Sequence, residues 1–583
     1  SLMGAAAAAA SAGGGDFYTH QIANSVRIPA PSGTGSSNGR LTRTVGTVDS
    51  NVHFTLNFWI KRSALGGTNP VSTVRPLVVF TPRSGTSGSV LMEFKFSSAA
   101  AGNTAGDAFT IVNTNSNAMV LSTTNLFRDT SAWYNIHIQA DLDNGTASEK
   151  LKIFINGTEA AYTGDNRSSF SSFPGMVGGA WTIGDYYNYG YPIQSYLAQW
   201  CFIDGTTYAA SDFGELKNGV WIPKDPSGLT FGSEGFYLDF ASSGDLGNDV
   251  SGNNNDWTVA NIAAHDQMLD SPTFNSDSNG GNFATYNPLS PTTNGAVFTE
   301  GNLKSSPASS WSSTTYIKTT MAIPKDKKIY FEASDAGSAG GLYSIGVAIE
   351  SGVPSGTNVG GAGAVTLYDT EKYVNGTGSG GWITGASAGD IIQVAVDGAT
   401  GKVWLGINNT WGGSGNPSAG SNEAGTITNT DNEDLLPVVC QNSASNLVLN
   451  FGQDGTFAGA KTAQGNSDGT GYGNFYYAPP TNFLSLNSGN LSVADAVDPA
   501  QTDDDYPQKL FGAKTYTGTG SSNAITGVGF KPDWTWIKER SGANDHKLTD
   551  STRGVTKSLE SNEGTAEATD SNGLTAFGTD GFT

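Results

Sequence analysis

Cysteine is nearly absent from this chain of 583 residues: Cys201 and Cys440 are the only two. That count excludes a disulfide framework and a cysteine-built metal centre. Each lies in an apolar, strand-like run, LAQWCFI and LLPVVCQN, where a thiol acts as a small buried hydrophobe. Histidine is scarce as well. His20, His53, His137, His265 and His546 stand singly, without the i, i+4 spacing that builds a zinc site on a helix. Basic charge is short: 30 Lys and Arg face 52 Asp and Glu, a formal net charge of -22, and charged residues make only 14% of the chain. With a sequence pI of about 4.5, the chain repels phosphate backbones, whose binding needs Lys and Arg to displace counterions, so nucleic acid is excluded as a partner. No apolar run approaches the roughly 20 residues that cross a bilayer, so membrane insertion is not expected.

What is abundant is glycine, 77 residues, together with Ser, Thr and Asn, a composition of short strands joined by many turns. Hydrophobic residues at 37%, with 10% aromatic, suffice for several buried cores. One hairpin plan is written twice: WYNIHIQADLDNGTASEKLKIFINGT over residues 133–158 and GDIIQVAVDGATGKVWLGINNT over residues 389–410. Side chains alternate faces along a strand, so Tyr134, Ile136, Ile138 and Ala140 share a face with Leu151, Ile153 and Ile155 of the return strand. In the second copy Ile392, Val394 and Val396 answer Val403, Leu405 and Ile407. Both turns are rich in Asp, Asn and Gly, which tolerate positive φ. The duplication predicts an all-β chain of tandem antiparallel β-sandwiches, whose end loops are the usual binding elements.

Residues 1–15, SLMGAAAAAASAGGG, lack a basic start and read as a flexible Ala/Gly-rich arm. Within residues 16–242, TLNFWIKRS, WYNIHIQADLD, KLKIFINGTE, TIGDYYNYG and LAQWCFIDG occur in an order that resembles the concanavalin A-like laminin G jelly roll. Residues 243–296, with DLGNDVSGNNNDW and LDSPT, read as an Asn/Gly/Pro-rich linker. Residues 297–457 run through KIYFEAS, LYSIGVAI, GDIIQVAVD, KVWLGINNTW, LLPVVCQN and LVLNFGQ, a succession similar to the SPRY domain, a bent β-sandwich that binds partners through its loops. Residues 458–507 read as a connector. Residues 508–583 begin a third β module, expected to be incomplete at DGFT. An Ala/Gly-rich start, the two modules, DWTVANIAAHDQMLDSPT and GFKPDWTWIKERSGANDHKLTDSTRG together resemble the large virion surface proteins of marine bacteriophages, described as tail fibre or tail-associated proteins.

Catalytic patterns fail on context. GASAG at residues 385–389 matches a nucleophile elbow around Ser387, but a strand follows where a helix is required. Gly376, Gly378 and Gly381 satisfy GxGxxG, yet Trp382 and Ile383 follow without a helix to hold a pyrophosphate. Glycan-cleaving jelly rolls need carboxylates flanking the scissile bond. Here Glu332 and Asp335 fall on opposite strand faces, Glu433 and Asp434 are adjacent, and Asp431 and Glu433 sit in a polar approach to a strand. No enzyme is expected. Calcium is the one cofactor for which the residues offer ligands: Asp141, Asp143 and Asn144 cluster in one turn, and Asp249 joins Asp245, Asn253, Asn255 and Asp256 in another. The same residues are ordinary turn formers.

Aromatic loops carry the binding expectation. Tyr186, Tyr187, Asn188, Tyr189 and Tyr191 crowd DYYNYGY, and Tyr368, Tyr373, Trp382 and Trp411 form a second candidate rim flanked by Gly and Asn. Such rings stack on sugars or pack in protein interfaces. The sequence therefore predicts a non-enzymatic bacteriophage virion surface protein that recognises host-envelope carbohydrate through sandwich-edge loops. Its expected partners are other virion proteins and a host surface glycan, and the resemblance implies a homo-oligomer such as a trimer. The alternative is a structural decoration or scaffold protein of the virion, with the same aromatics buried between subunits.

Overall fold

Both duplicated hairpins form in the register that their apolar faces require. Ile136 opposes Ile155, Ile138 opposes Ile153 and Ala140 opposes Leu151, while Ile392, Val394 and Val396 oppose Ile407, Leu405 and Val403. A slip of one residue would turn each set to the opposite side, so burial of one face fixes the pairing. The computed structural model describes residues 18–29, 37–65, 77–83, 90–97, 106–114, 118–173, 179–186, 192–217, 219–274, 279–290, 296–306, 316–335, 343–352, 361–441, 446–491 and 511–583. Among them the protein is all-β: tandem antiparallel β-sandwiches followed by a smaller β module, with only short 3-10 turns besides.

The first sandwich stacks two eight-stranded sheets. His53–Arg62 pairs with Trp133–Asp141 and Ser195–Asp204 at the centre of one. The other orders Leu77–Arg83, Ala180–Ile183 and Arg40–Thr44 side by side. Between them Phe54, Phe58, Phe80, Phe94, Trp181, Trp200 and Phe202 are buried. The Phe58 ring stacks on Trp200 with centroids 4.3 Å apart, and Phe80 meets Trp181 edge-on at 5.6 Å. Each buried large side chain contributes roughly 1.5–3 kcal/mol.

The second sandwich faces an eight-stranded sheet, built on Lys328–Asp335, Ile391–Asp397, Lys402–Ile407 and Leu447–Asn450, against a six-stranded one containing Tyr343–Ile349, Ala364–Tyr368 and Leu435–Gln441. Its core is mainly aliphatic, with Ile329, Ile345, Val347, Leu367, Val394 and Leu405 fully or almost fully buried beside Phe331 and Phe451. Both cysteines are buried, as their apolar runs predict.

Two segments differ from the sequence reading. Within residues 243–296, Thr258–Ala260 pairs with Arg40–Thr44 and Gln267–Met268 pairs with Ser25–Arg27, adding a strand to each sheet of the first sandwich, while Phe283, Ala284 and Tyr286 pack in the core of the second. Buried Trp257 and Met268 anchor it, without any periodicity to betray them. Within residues 458–491, part of the expected connector, Phe475 and Phe483 are fully buried beside Tyr330 and Trp404.

Asp16–Ser492 consequently forms one compact unit. Trp59, Trp133 and Tyr196 of the first sandwich pack in one cluster with Leu303, Ile391 and Val448 of the second. The Tyr196 hydroxyl donates to the Gly301 carbonyl at 2.8 Å. The fully buried Arg27 guanidinium lies 2.9 Å from Asp266, 3.1 Å from Asp454 and 3.4 Å from Glu300. Beside it in the same seam, the Lys61 ammonium donates to Asp270 at 2.7 Å, Asn282 at 2.6 Å and the Phe283 carbonyl at 2.9 Å. The other unit, Val493–Thr583, contains a four-stranded sheet of Trp534–Ile537, Lys547–Asp550, Lys557–Glu560 and Ala568–Thr569.

Candidate functional site

Trp382 and Trp411 come together at one end of the second sandwich. The chain leaves Lys402–Ile407 through Asn408 and Asn409, both at positive φ, and returns as the two-residue strand Thr410–Trp411. Gly406 opposes Trp411, and a Cβ at Gly406 would stand only 3.0 Å from its indole. The Trp382 ring lies against the bare backbone that follows: a Cβ on Gly412 would meet that ring at 2.3 Å. The Trp382 amide donates to the Thr370 carbonyl at 3.0 Å, and the Lys372 ammonium lies 5.5 Å from the centre of its ring.

These two indoles, with Asp390, Asn408 and Thr410, line a shallow concavity of about 600 Å³. Its polar groups hold one another in place. Asp390 accepts the Asn408 amide at 2.7 Å through one oxygen and the Ser387 backbone N–H at 2.8 Å through the other. Asn408 in turn accepts the Ile391 N–H at 3.0 Å. Flat apolar faces beside a fixed carboxylate and amide and a nearby hydroxyl suit a ligand with one hydrophobic face and a rim of hydroxyls. Because that arrangement exists before anything binds, little ordering cost falls on the protein.

The other two members of the predicted rim lie elsewhere. Val365 and Leu367 point into the core, so strand parity sends Tyr368 to the outer face of the six-stranded sheet, where Tyr373 joins it. Their rings meet edge-on at 6.4 Å beside Tyr316, Ala348, Ala364, Val438 and Cys440, and the Tyr373 hydroxyl donates to Glu371 at 2.9 Å. Burial pushes the Cys440 thiol up to about 12, which leaves it unreactive at neutral pH. Of the tyrosine loop, Tyr186 is half-buried and its backbone N–H donates to Asp185 at 2.7 Å. Tyr187, Asn188, Tyr189 and Tyr191 lie outside the described residues.

The calcium candidates separate as well. Asp249 accepts backbone N–H groups of Tyr237 and Ser251 on one oxygen and of Asn255 on the other, at 2.8–2.9 Å. Its carboxylate organises its own turn. Asp141 and Asp143 approach His53 Nε2 at 3.1 and 2.9 Å, and the ligand atoms of the three lie within 4.8 Å of one another. The Asn144 amide also donates to Asp141, and this bond is the main cause holding that carboxyl below its ordinary range. Calcium takes six or more oxygens, so an imidazole nitrogen fits it poorly. A histidine bridging two carboxylates accounts for the same distances.

Glu332, set aside as half of a catalytic pair by strand parity, is a fully buried carboxylate. Glu332 accepts the Tyr330 hydroxyl, the Asn450 amide and the backbone N–H groups of Tyr476 and Tyr477 at 2.7–3.2 Å. Burial, opposed by these four donors, pushes its pKa up to about 7. It clamps the returning chain onto the sheet, and among the described residues no second carboxylate is hydrogen-bonded to it.

Residues 506–583 match a family model described as a domain of unknown function, DUF7483. No curated protein matches the chain. Among solved structures, the TRIM65 PSpry domain is similar at 16% identity and a TM-score of 0.22, over 29% of this chain and 91% of that one. A Bacteroides ovatus protein described as carbohydrate binding is similar at 15% identity and a TM-score of 0.28, over 42% of this chain and 61% of that one. A heptameric SAP-like pentraxin from Limulus polyphemus is similar at 13% identity and a TM-score of 0.23, over 33% of this chain and 80% of that one.

Proposed function

We propose that this protein is a non-enzymatic carbohydrate-binding β-sandwich protein, carried on a bacteriophage virion surface as a tail fibre or tail-associated component, that contacts host-envelope glycan. The observation that supports this reading is the Trp382 and Trp411 concavity, with Thr410 on its lining and Asp390 and Asn408 fixed at its edge. A sugar ring stacks its C–H face on an indole and offers its hydroxyls to the polar edge. Each such site is shallow and weak, so attachment relies on several copies acting together in a homo-oligomer, a trimer in this proposal, anchored to other virion proteins. Glycan-array and whole-cell binding by the purified protein, set against Trp382→Ala and Trp411→Ala, tests it. Wild-type binding that falls about tenfold in either variant, a loss of ~1.4 kcal/mol, supports the reading. No binding by the wild type, or release of shortened saccharides, refutes it.

A further inference from the structure

Among the described residues Lys61 is the only buried lysine, and it touches both an acid and a side-chain amide. Its Nζ lies 2.7 Å from Asp270 Oδ2 and 2.6 Å from Oδ1 of Asn282, a residue 221 positions further along the chain. The Phe283 carbonyl, 2.9 Å away, holds the nitrogen in place. A bridge between Asp270 and Gly281, with the Ser271 N–H donating to the Gly281 carbonyl at 3.0 Å, sets acid and amide side by side. A carbonyl bond spans only ~1.2 Å, so Asn282 Cγ stands within ~3.8 Å of the lysine nitrogen. On the other side of that carbon, Nδ2 donates to the Ser131 carbonyl at 2.5 Å, which turns Oδ1 toward Lys61. The site is dry. Asp270, Asn282, Tyr196 and Phe283 are all buried around it, and the Trp133 indole donates to Asp270 Oδ1 at 2.9 Å.

We propose that Lys61 and Asn282 condense into an amide, with Asp270 carrying the proton, and so join the first sandwich covalently to the chain that enters the core of the second. Folding makes the charged pair first. One proton passed from Lys61 to Asp270 converts it to a free amine and a carboxylic acid, and burial favours that exchange by lowering the pKa of Lys61 and raising that of Asp270. The amine lone pair then attacks Cγ, and the carbonyl π pair moves onto Oδ1. Held contact in a water-free site supplies the effective concentration that this reaction lacks in solution. Nζ and Nδ2 now share one carbon, so an acid hydrogen-bonded to Nζ also reaches Nδ2. Asp270 gives its proton to Nδ2 and takes one from Nζ; the carbonyl re-forms as the Cγ–Nδ2 bond breaks. One ammonia leaves, Asp270 ends as the acid, and no oxidant is needed. Because the charged pair dominates in freshly folded protein, the bond accumulates slowly. The site shares no residue with the Trp382 concavity, so it stands or falls separately from the carbohydrate reading.

Peptide mapping of the whole protein by mass spectrometry, before and after prolonged incubation at neutral pH, provides the test. A tryptic fragment that joins the Lys61 and Asn282 peptides, one ammonia lighter than the two together, supports the proposal when it is absent from protein incubated in urea and from Asp270→Asn. Ammonia lost elsewhere, as in a succinimide at an Asn-Gly pair, gives no joined fragment, so the map tells the two reactions apart. The wild-type measurement does not depend on any variant folding. Recovery of Lys61 and Asn282 only in separate, unmodified peptides, from incubated protein that keeps its native tryptophan emission, overturns the proposal. A joined fragment that forms equally in urea or in Asp270→Asn overturns it as well.

Discussion

Replacing Lys61 with Met tests whether the two sandwiches are held together by a compensated buried charge. The Lys61 side chain is 1% exposed and the Asp270 side chain 0%. All three ammonium donors are used, on Asp270, Asn282 and the Phe283 carbonyl, while Asp270 also accepts the Trp133 indole N–H at 2.9 Å and the Phe283 N–H at 3.3 Å. Burial lowers the pKa of Lys61 and raises that of Asp270, and the two charges in contact offset that effect. Lys61→Met preserves volume but leaves a buried carboxylate with only neutral donors and strips two oxygens of theirs. Breaking one side of such a pair costs about 3–5 kcal/mol, whereas replacing both sides with neutral groups is often nearly neutral. Urea unfolding followed by tryptophan fluorescence should therefore show a large loss for Lys61→Met and substantial recovery in Lys61→Met with Asp270→Asn. A single-variant cost under about 1 kcal/mol, or a double variant as costly as the sum of the two singles, would refute the argument.

Three further outcomes follow from buried groups and close contacts. His137 is fully buried between Phe154 and Phe213, and burial lowers its pKa to about 3. The unfolded chain then binds the extra proton below about pH 6.5, so His137 removes ~2 kcal/mol of stability by pH 5; unfolding of His137→Phe should lack that component. Glu332 acts in the opposite sense: its pKa of about 7 lies above the ordinary glutamate value of 4.5, so the stability it contributes is complete below about pH 4.5 and is lost as pH rises through 7. Glu332→Gln should flatten that limb, and an unchanged pH profile would contradict the burial argument. Gly412→Val should displace the Trp382 ring, seen as a shift in tryptophan emission and about tenfold weaker glycan binding, with sandwich stability changed little.

Much of the fold was legible because its signals are local. The hairpin at residues 133–158 shows its register through Ile136, Ile138, Ile153 and Ile155, which alternate strictly within a short span. The face of Tyr368 was equally open to parity, since Val365 and Leu367 mark the inward side. Other features depend on distant partners. Glu332 is anchored by backbone N–H groups 144 and 145 residues away, which no local pattern can announce. Between residues 243 and 274, buried Leu246, Trp257, Ile262, Met268 and Phe274 stand singly amid polar turns, so the stretch reads as a linker. The meeting of Trp382 with Trp411 was partly visible, because glycines at 412 and 413 leave room for a ring, but the fold alone decides which ring fills it.

The most direct measurement is saturation-transfer NMR on glycans selected by array, comparing the wild-type protein with Trp382→Ala and Trp411→Ala. The account predicts strong transfer to one face of a sugar ring in the wild type and its loss in both variants, with the fold retained. Equal transfer in all three proteins would contradict it.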